Sequence, residues 1–64
     1  MRSRLKDLRI ERNWIQADLA QHVNVSRQTI DAIEKGKFDP SLPLAFRLAK
    51  LFDLKIEEIF IDDQ

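Results

Sequence analysis

Residues 16–37 read QADLAQHVNVSRQTIDAIEKGK, and this stretch decides the fold. From Gln16 to Val23, the residues Leu19, Ala20 and Val23 fall at i, i+1 and i+4, one apolar stripe of a helix. Asn24 follows, a residue that tolerates the left-handed conformation in which helices end. Ser26 is an N-cap, and helix then runs from Arg27 to about Lys35 with Ile30 and Ile33 facing inward. Val25 and Ile30 sit at the N′ and N4 positions of a hydrophobic staple. Gly36, the only glycine in the chain, stands just past the end, where the absence of Cβ costs least.

Only Asn24 and Val25 separate the first stripe from the Ser26 cap. Helices joined so tightly do not lie antiparallel; they cross steeply, and small Ala20 lets them approach. The spacing implies a helix-turn-helix, an arrangement whose second helix projects into the major groove of DNA.

The flanks are helical too. A first helix is expected from about Arg4 to Arg12, with Ser3 as N-cap, Leu5 and Leu8 inward and Asn13 as the stop. After the loop Lys37-Phe38-Asp39-Pro40, Ser41 caps a fourth helix with Pro43 in its first turn, where a missing N–H costs nothing. Leu44, Ala45, Leu48, Ala49 and Phe52 form its inner face. A short fifth helix from about Ile56 to Phe60 supplies Ile59 and offers Phe60 to the core as well, and Asp62-Asp63-Gln64 is expected to fray. No stretch alternates long enough to read as a strand. The expected fold is all-α: five short helices in one domain, residues 1–64.

Composition narrows the function. A chain of 64 residues needs a disulfide, a metal, a partner or efficient helix packing to be stable. Cysteine is absent, and His22 is the only histidine, which excludes disulfides and leaves a structural zinc site without ligands. No apolar run approaches the ~20 residues of a membrane span, and the start MRSRLKDLR is not a secretory signal, so a cytoplasmic location is expected. Net charge is zero but unevenly spread. Residues 1–38 carry eight Lys/Arg against five Asp/Glu, and residues 39–64 three against six, so the halves stand at +3 and −3. Such a split fits a polyanion on one face, and equally fits ordinary solvated faces. No catalytic constellation is visible, with no Tyr, no glycine-rich loop and no carboxylate pair in an enclosable cleft. An enzyme is not expected, nor any cofactor or metal.

The run from Gln16 to Lys37, above all VSRQTI followed by IEKGK, resembles the Cro/C1-type (XRE) helix-turn-helix family, to which the lambdoid phage repressors belong. The resemblance extends from Leu5 through Phe60, including Pro40-Ser41-Leu42 and Ile56-Glu57-Glu58-Ile59-Phe60. It implies a compact five-helix, lambda-repressor-like DNA-binding domain with the helix-turn-helix at the second and third helices. Two positions depart from the pattern. Ile15 stands where many relatives have a capping Thr, Ser or Asn, a cap worth about 1 kcal/mol; Trp14 and Ile15 are expected to plug that corner instead. Asn24 replaces the usual turn glycine.

Base contact needs exposed side chains at the start of the third helix, where Arg27, Gln28 and Thr29 stand. Arg pairs bidentately with guanine and Gln with adenine, and the resemblance makes Arg27 and Gln28 the base readers, with Ala32 one turn on. The plain alternative is that Arg27 is a solvated first-turn residue, although a cation there opposes the helix dipole. Gln16 opens the second helix, and its backbone N–H and side-chain amide are expected at a phosphate, as in relatives. Ser26 and Thr29 offer hydroxyls to phosphate, with capping the stronger role for Ser26. Lys35 and Lys37 flank Gly36 and are expected on the opposite strand, the alternative being C-terminal dipole partners. Arg9 and Glu34 take the positions of an ion pair that joins the first and third helices in relatives. Trp14 is expected in the core and His22 on the surface.

These expectations amount to a sequence-specific double-stranded DNA-binding regulator, a repressor, working as a homodimer on a palindromic operator. Leu54, Ile56, Phe60 and Ile61 supply the apolar surplus for pairing. Two other classes are compatible: an antitoxin of the same fold that binds a toxin through its acidic C-terminal half and also binds DNA, and a helical adaptor that has lost DNA binding.

Overall fold

The computed structural model describes residues 1–62. Among them the chain forms β1 (Arg2–Ser3), α1 (Leu5–Glu11), α2 (Gln16–Val23), α3 (Arg27–Glu34), α4 (Leu42–Phe52), α5 (Ile56–Ile59) and β2 (Phe60–Ile61). The expected behaviour of Asp63 and Gln64 lies outside the described residues.

Each of the first four helices closes on a residue with positive φ: Asn13 at 59°, Asn24 at 58°, Gly36 at 75° and Asp53 at 55°. The same pair of bonds recurs at each. After α3, the Gly36 N–H donates to Ile33 O and the Lys37 N–H to Ala32 O; after α2, the Asn24 N–H donates to Gln21 O and the Val25 N–H to Ala20 O. These bonds satisfy carbonyls that a helix end leaves bare and turn the chain sharply. Ser26 and Ser41 cap α3 and α4 as expected, their Oγ atoms accepting from the Thr29 and Leu44 N–H groups.

The core is built from Leu5, Leu8, Leu19, Ala20, Val23, Ile30, Ile33, Leu44, Ala45, Leu48, Phe52, Ile59 and Phe60, with Trp14, Val25 and Ala49 packed against it. Every inward position expected on the first four helices is buried, apart from the half-buried Ala49. Arg47 fastens α4 to the end of α2 by donating from Nε to Val23 O at 3.1 Å.

Several expectations are corrected. Residues at both ends form a short antiparallel ladder, with Arg2 opposite Ile61 and Ser3 opposite Phe60. The Arg4 N–H extends it by donating to Ile59 O at 2.8 Å. Two residues per strand are too few to show a period of two. Helix α1 therefore starts at Leu5 with Arg4 in the cap position, and Ser3 Oγ makes only a 3.4 Å contact with the Leu5 N–H. Helix α5 stops at Ile59, and Phe60 turns extended into β2. Phe60 is only 7 % exposed, so it is not surplus. Nor does Ile15 plug the corner: it is 64 % exposed, while Trp14 alone packs inward.

Candidate nucleic-acid interface

Helix α2 packs on α3 across the three-residue turn from Asn24 to Ser26. The staple of half-buried Val25 and buried Ile30 anchors the start of α3, which leaves Arg27 and Gln28 exposed. The Gln28 side chain makes no hydrogen bond among the described residues. Thr29 and Ser26 turn to each other, Oγ to Oγ1 at 2.9 Å, so both hydroxyls serve the cap. Ala32 is half-buried.

Arg27 and Gln16 are brought together, with the guanidinium NH1 donating to Gln16 Oε1 at 3.1 Å. The amide nitrogen of Gln16 points the other way, donating to Asp31 Oδ1 at 3.1 Å and to Glu34 Oε1 at 3.0 Å. Both of its N–H groups are thereby engaged, and the expected donation from this side chain to a phosphate is not available in this arrangement. The Gln16 and Ala17 backbone N–H groups remain open among the described residues. The start of α2 has no side-chain cap at Ile15, but Asp18 reaches back and accepts from the Ile15 N–H at 2.9 Å, half of a capping box.

Glu34 is the anchor of this cluster. Its carboxylate takes Arg9 Nε on Oε2 at 2.7 Å and Arg9 NH2 on Oε1 at 3.1 Å, with the two side chains 11 % and 4 % exposed. Arg9 NH1 donates further to Trp14 O at 2.8 Å. Donation to the Glu34 carboxylate raises the Arg9 pKa, against burial, which lowers it. Asp31 also pairs with Lys35 Nζ at 3.0 Å, one turn on. The Gln16 donor, and after it Lys35, hold the Asp31 carboxyl below its ordinary value. Lys35, the residue after α3, is thus committed to Asp31, and Lys37 is exposed beyond the Gly36 turn.

Asp31 was missed as a member of this cluster. Its i,i+4 spacings to Arg27 and Lys35 were visible signals, but its contact with Gln16 depends on how α2 and α3 pack. At the other end of α2, Trp14 stacks on His22 with ring centroids 4.3 Å apart, and the Arg12 guanidinium lies 5.2 Å from the Trp14 ring centre and 4.9 Å from that of Phe52.

A tight α2–turn–α3 unit with polar side chains exposed at the start of α3 defines a helix-turn-helix domain. The family model described as helix-turn-helix matches residues 5–59. An uncharacterised HTH-type transcriptional regulator of Methanocaldococcus jannaschii is 59 % identical, with all of both chains covered. The cryptic phage CTXphi transcriptional repressor RstR of Vibrio cholerae is 36 % identical over 97 % of this chain, which spans 56 % of that protein. Among solved structures, the restriction-modification controller protein C.AhdI of Aeromonas hydrophila superposes with a TM-score of 0.78 at 30 % identity, covering 89 % of this chain and 86 % of that one. The chain belongs to the Cro/C1-type (XRE) helix-turn-helix family of DNA-binding transcriptional regulators. That family is one of regulators and not an enzyme class.

Proposed function

We propose that this chain is a sequence-specific regulator of transcription, a repressor, that reads the major groove with α3. Residues 1–64 act as one DNA-binding domain in the cytoplasm, where operator DNA lies. The observation that carries this is the exposed pair Arg27 and Gln28 at the N-terminal end of α3, with Arg27 held by Gln16. Arg27 and Gln28 contact bases. The backbone N–H groups of Gln16 and Ala17 meet one phosphate, and Lys37 meets another beyond Gly36. Ser26 and Thr29 shape the helix start, and Lys35, exposed beside its partner Asp31, offsets that acid's charge near the DNA. The name of RstR supports the sign of regulation.

One recognition helix reads too few base pairs to select a site, so the protein works as a homodimer on a palindromic operator. A groove of about 340 Å³, lined among others by Met1, Leu42, Ala45, Ile56 and Phe60, takes the second copy. Leu42 beside it is 63 % exposed. The rim also carries Asp39, Glu57 and Asp62, and this acidity favours one further reading, an antitoxin whose groove takes a basic-rimmed protein partner.

Selection of bound sequences from random duplex DNA tests the proposal. A two-fold symmetric consensus is expected; the absence of any enriched sequence would overturn it.

A further inference from the structure

We propose that Asp31 and Glu34 are positioning residues for Arg27, acting through the Gln16 amide. This rests on the proposed base contact of Arg27. An amide has one acceptor and two N–H donors. Here both donors face carboxylate oxygens, at 3.1 and 3.0 Å, and the acceptor faces a guanidinium at 3.1 Å. A rotation of the amide by half a turn would set its oxygen against two carboxylates and its NH2 against a cation. The surrounding charges therefore fix the orientation that hydrogen-bond networks must otherwise decide.

The chain of contacts has a firm end and a working end. Glu34, its side chain 4 % exposed, is gripped by Arg9 and cannot swing away without stranding that cation. Asp31 is held by Lys35. From these two carboxylates, of which Glu34 is the firmer, the amide of Gln16 extends to Arg27, an exposed side chain that otherwise samples many rotamers and loses that freedom on binding. Guanidinium carries five N–H donors, and the tether uses one. A donor pair for a guanine edge remains. The carboxylates thus direct a base reader without touching DNA.

Charge gives this role a signature. Asp31 is an acid on the helix that approaches a polyanion, so its removal on electrostatic grounds alone strengthens binding to any duplex. Loss of the tether instead weakens discrimination at one base pair. The test uses the selected operator and a copy altered at the base pair whose discrimination Arg27→Ala abolishes. Asp31→Ala is the informative variant, because Glu34→Ala strands Arg9 and threatens the fold. Asp31→Ala is expected to lower the operator-to-altered ratio about 3- to 10-fold, the worth of one hydrogen bond. Binding to unrelated duplex should hold or improve. Gln16→Ala should reproduce the lowered ratio, and in an Arg27→Ala background Asp31→Ala should leave it unchanged. An unchanged ratio in Asp31→Ala, with Arg27→Ala still abolishing it, would overturn the tether and leave the base contact standing. No base pair whose discrimination depends on Arg27 would overturn both.

Discussion

Arg9 and Glu34 meet along two bonds, Nε to Oε2 at 2.7 Å and NH2 to Oε1 at 3.1 Å, and so lock α1 to α3. Burial makes this pair asymmetric in its response to mutation. Removing one partner strands a charge, whereas replacing both with apolar groups removes the desolvation cost as well. Glu34→Ala should lose about 3–5 kcal/mol. The double change Arg9→Met with Glu34→Leu should lose far less. Urea denaturation of the three proteins checks the order.

Asp31 predicts an acid dependence. Its carboxyl titrates below its ordinary value in the folded protein because Gln16 and Lys35 favour the charged form. A lowered folded value means stability that is fully present above the unfolded value, about 3.9, and is lost as pH falls through the folded one. The stability difference between wild type and Asp31→Asn should therefore shrink as pH drops from 5 towards about 2. Chemical denaturation at stepped pH measures it. A constant difference would mean that Asp31 gains nothing from its two partners.

At Ile15, the backbone is already extended at φ −82° and ψ 168°, and Asp18 already accepts from its N–H. Only a side-chain acceptor is missing. Ile15→Thr completes the box and should add about 1 kcal/mol. Little burial is lost, since Ile15 is 64 % exposed. A rise in thermal midpoint is expected, and a fall would show that the isoleucine makes contacts worth more than a cap.

Gln28 and Lys37 should fail differently. Gln28→Ala is expected to cost about 1–3 kcal/mol on the operator and to spare scrambled duplex. Lys37→Ala should weaken both alike and reduce the log K against log salt slope by about 1. Phosphates repeat at every step of the duplex, whereas base edges do not. Titrations of both variants at several salt concentrations separate the roles, and equal weakening by Gln28→Ala would reverse them.

Self-association is the remaining expectation. Leu42→Glu should disperse a dimer without disturbing the core, because Leu42 is exposed. Sedimentation with and without operator reads this directly. A wild-type protein that stays monomeric in both would exclude pairing.

Much of the scaffold was legible because it follows local rules. The 3.6-residue period picked out Leu19, Val23, Ile30, Ile33 and Leu48, and all are buried. Asn13, Asn24 and Gly36 were recognisable stops, since these residue types reach positive φ readily. Asp53 makes the same turn but is a less distinctive signal. The ladder between Arg2–Ser3 and Phe60–Ile61 was hidden by its shortness and by the distance along the chain between its halves. At the interface, the exposure of Arg27 and Gln28 followed from the cap and the staple. The contacts of Gln16 did not, because they join residues 11, 15 and 18 positions away in the sequence across two packed helices.

The β1–β2 ladder makes nearly the whole chain one closed loop, from position 2 to position 61. Closing so long a span has an entropic cost that local helical contacts do not carry. The ends are therefore expected to meet only after the helices have docked. Those same ends furnish Met1, Phe60 and Asp62 to the groove proposed for the second copy. A surface assembled from both termini does not exist in a half-folded chain. The proposed pairing is therefore expected to wait until these two segments have met, and a copy in which they remain apart is expected to present no such groove to its neighbours.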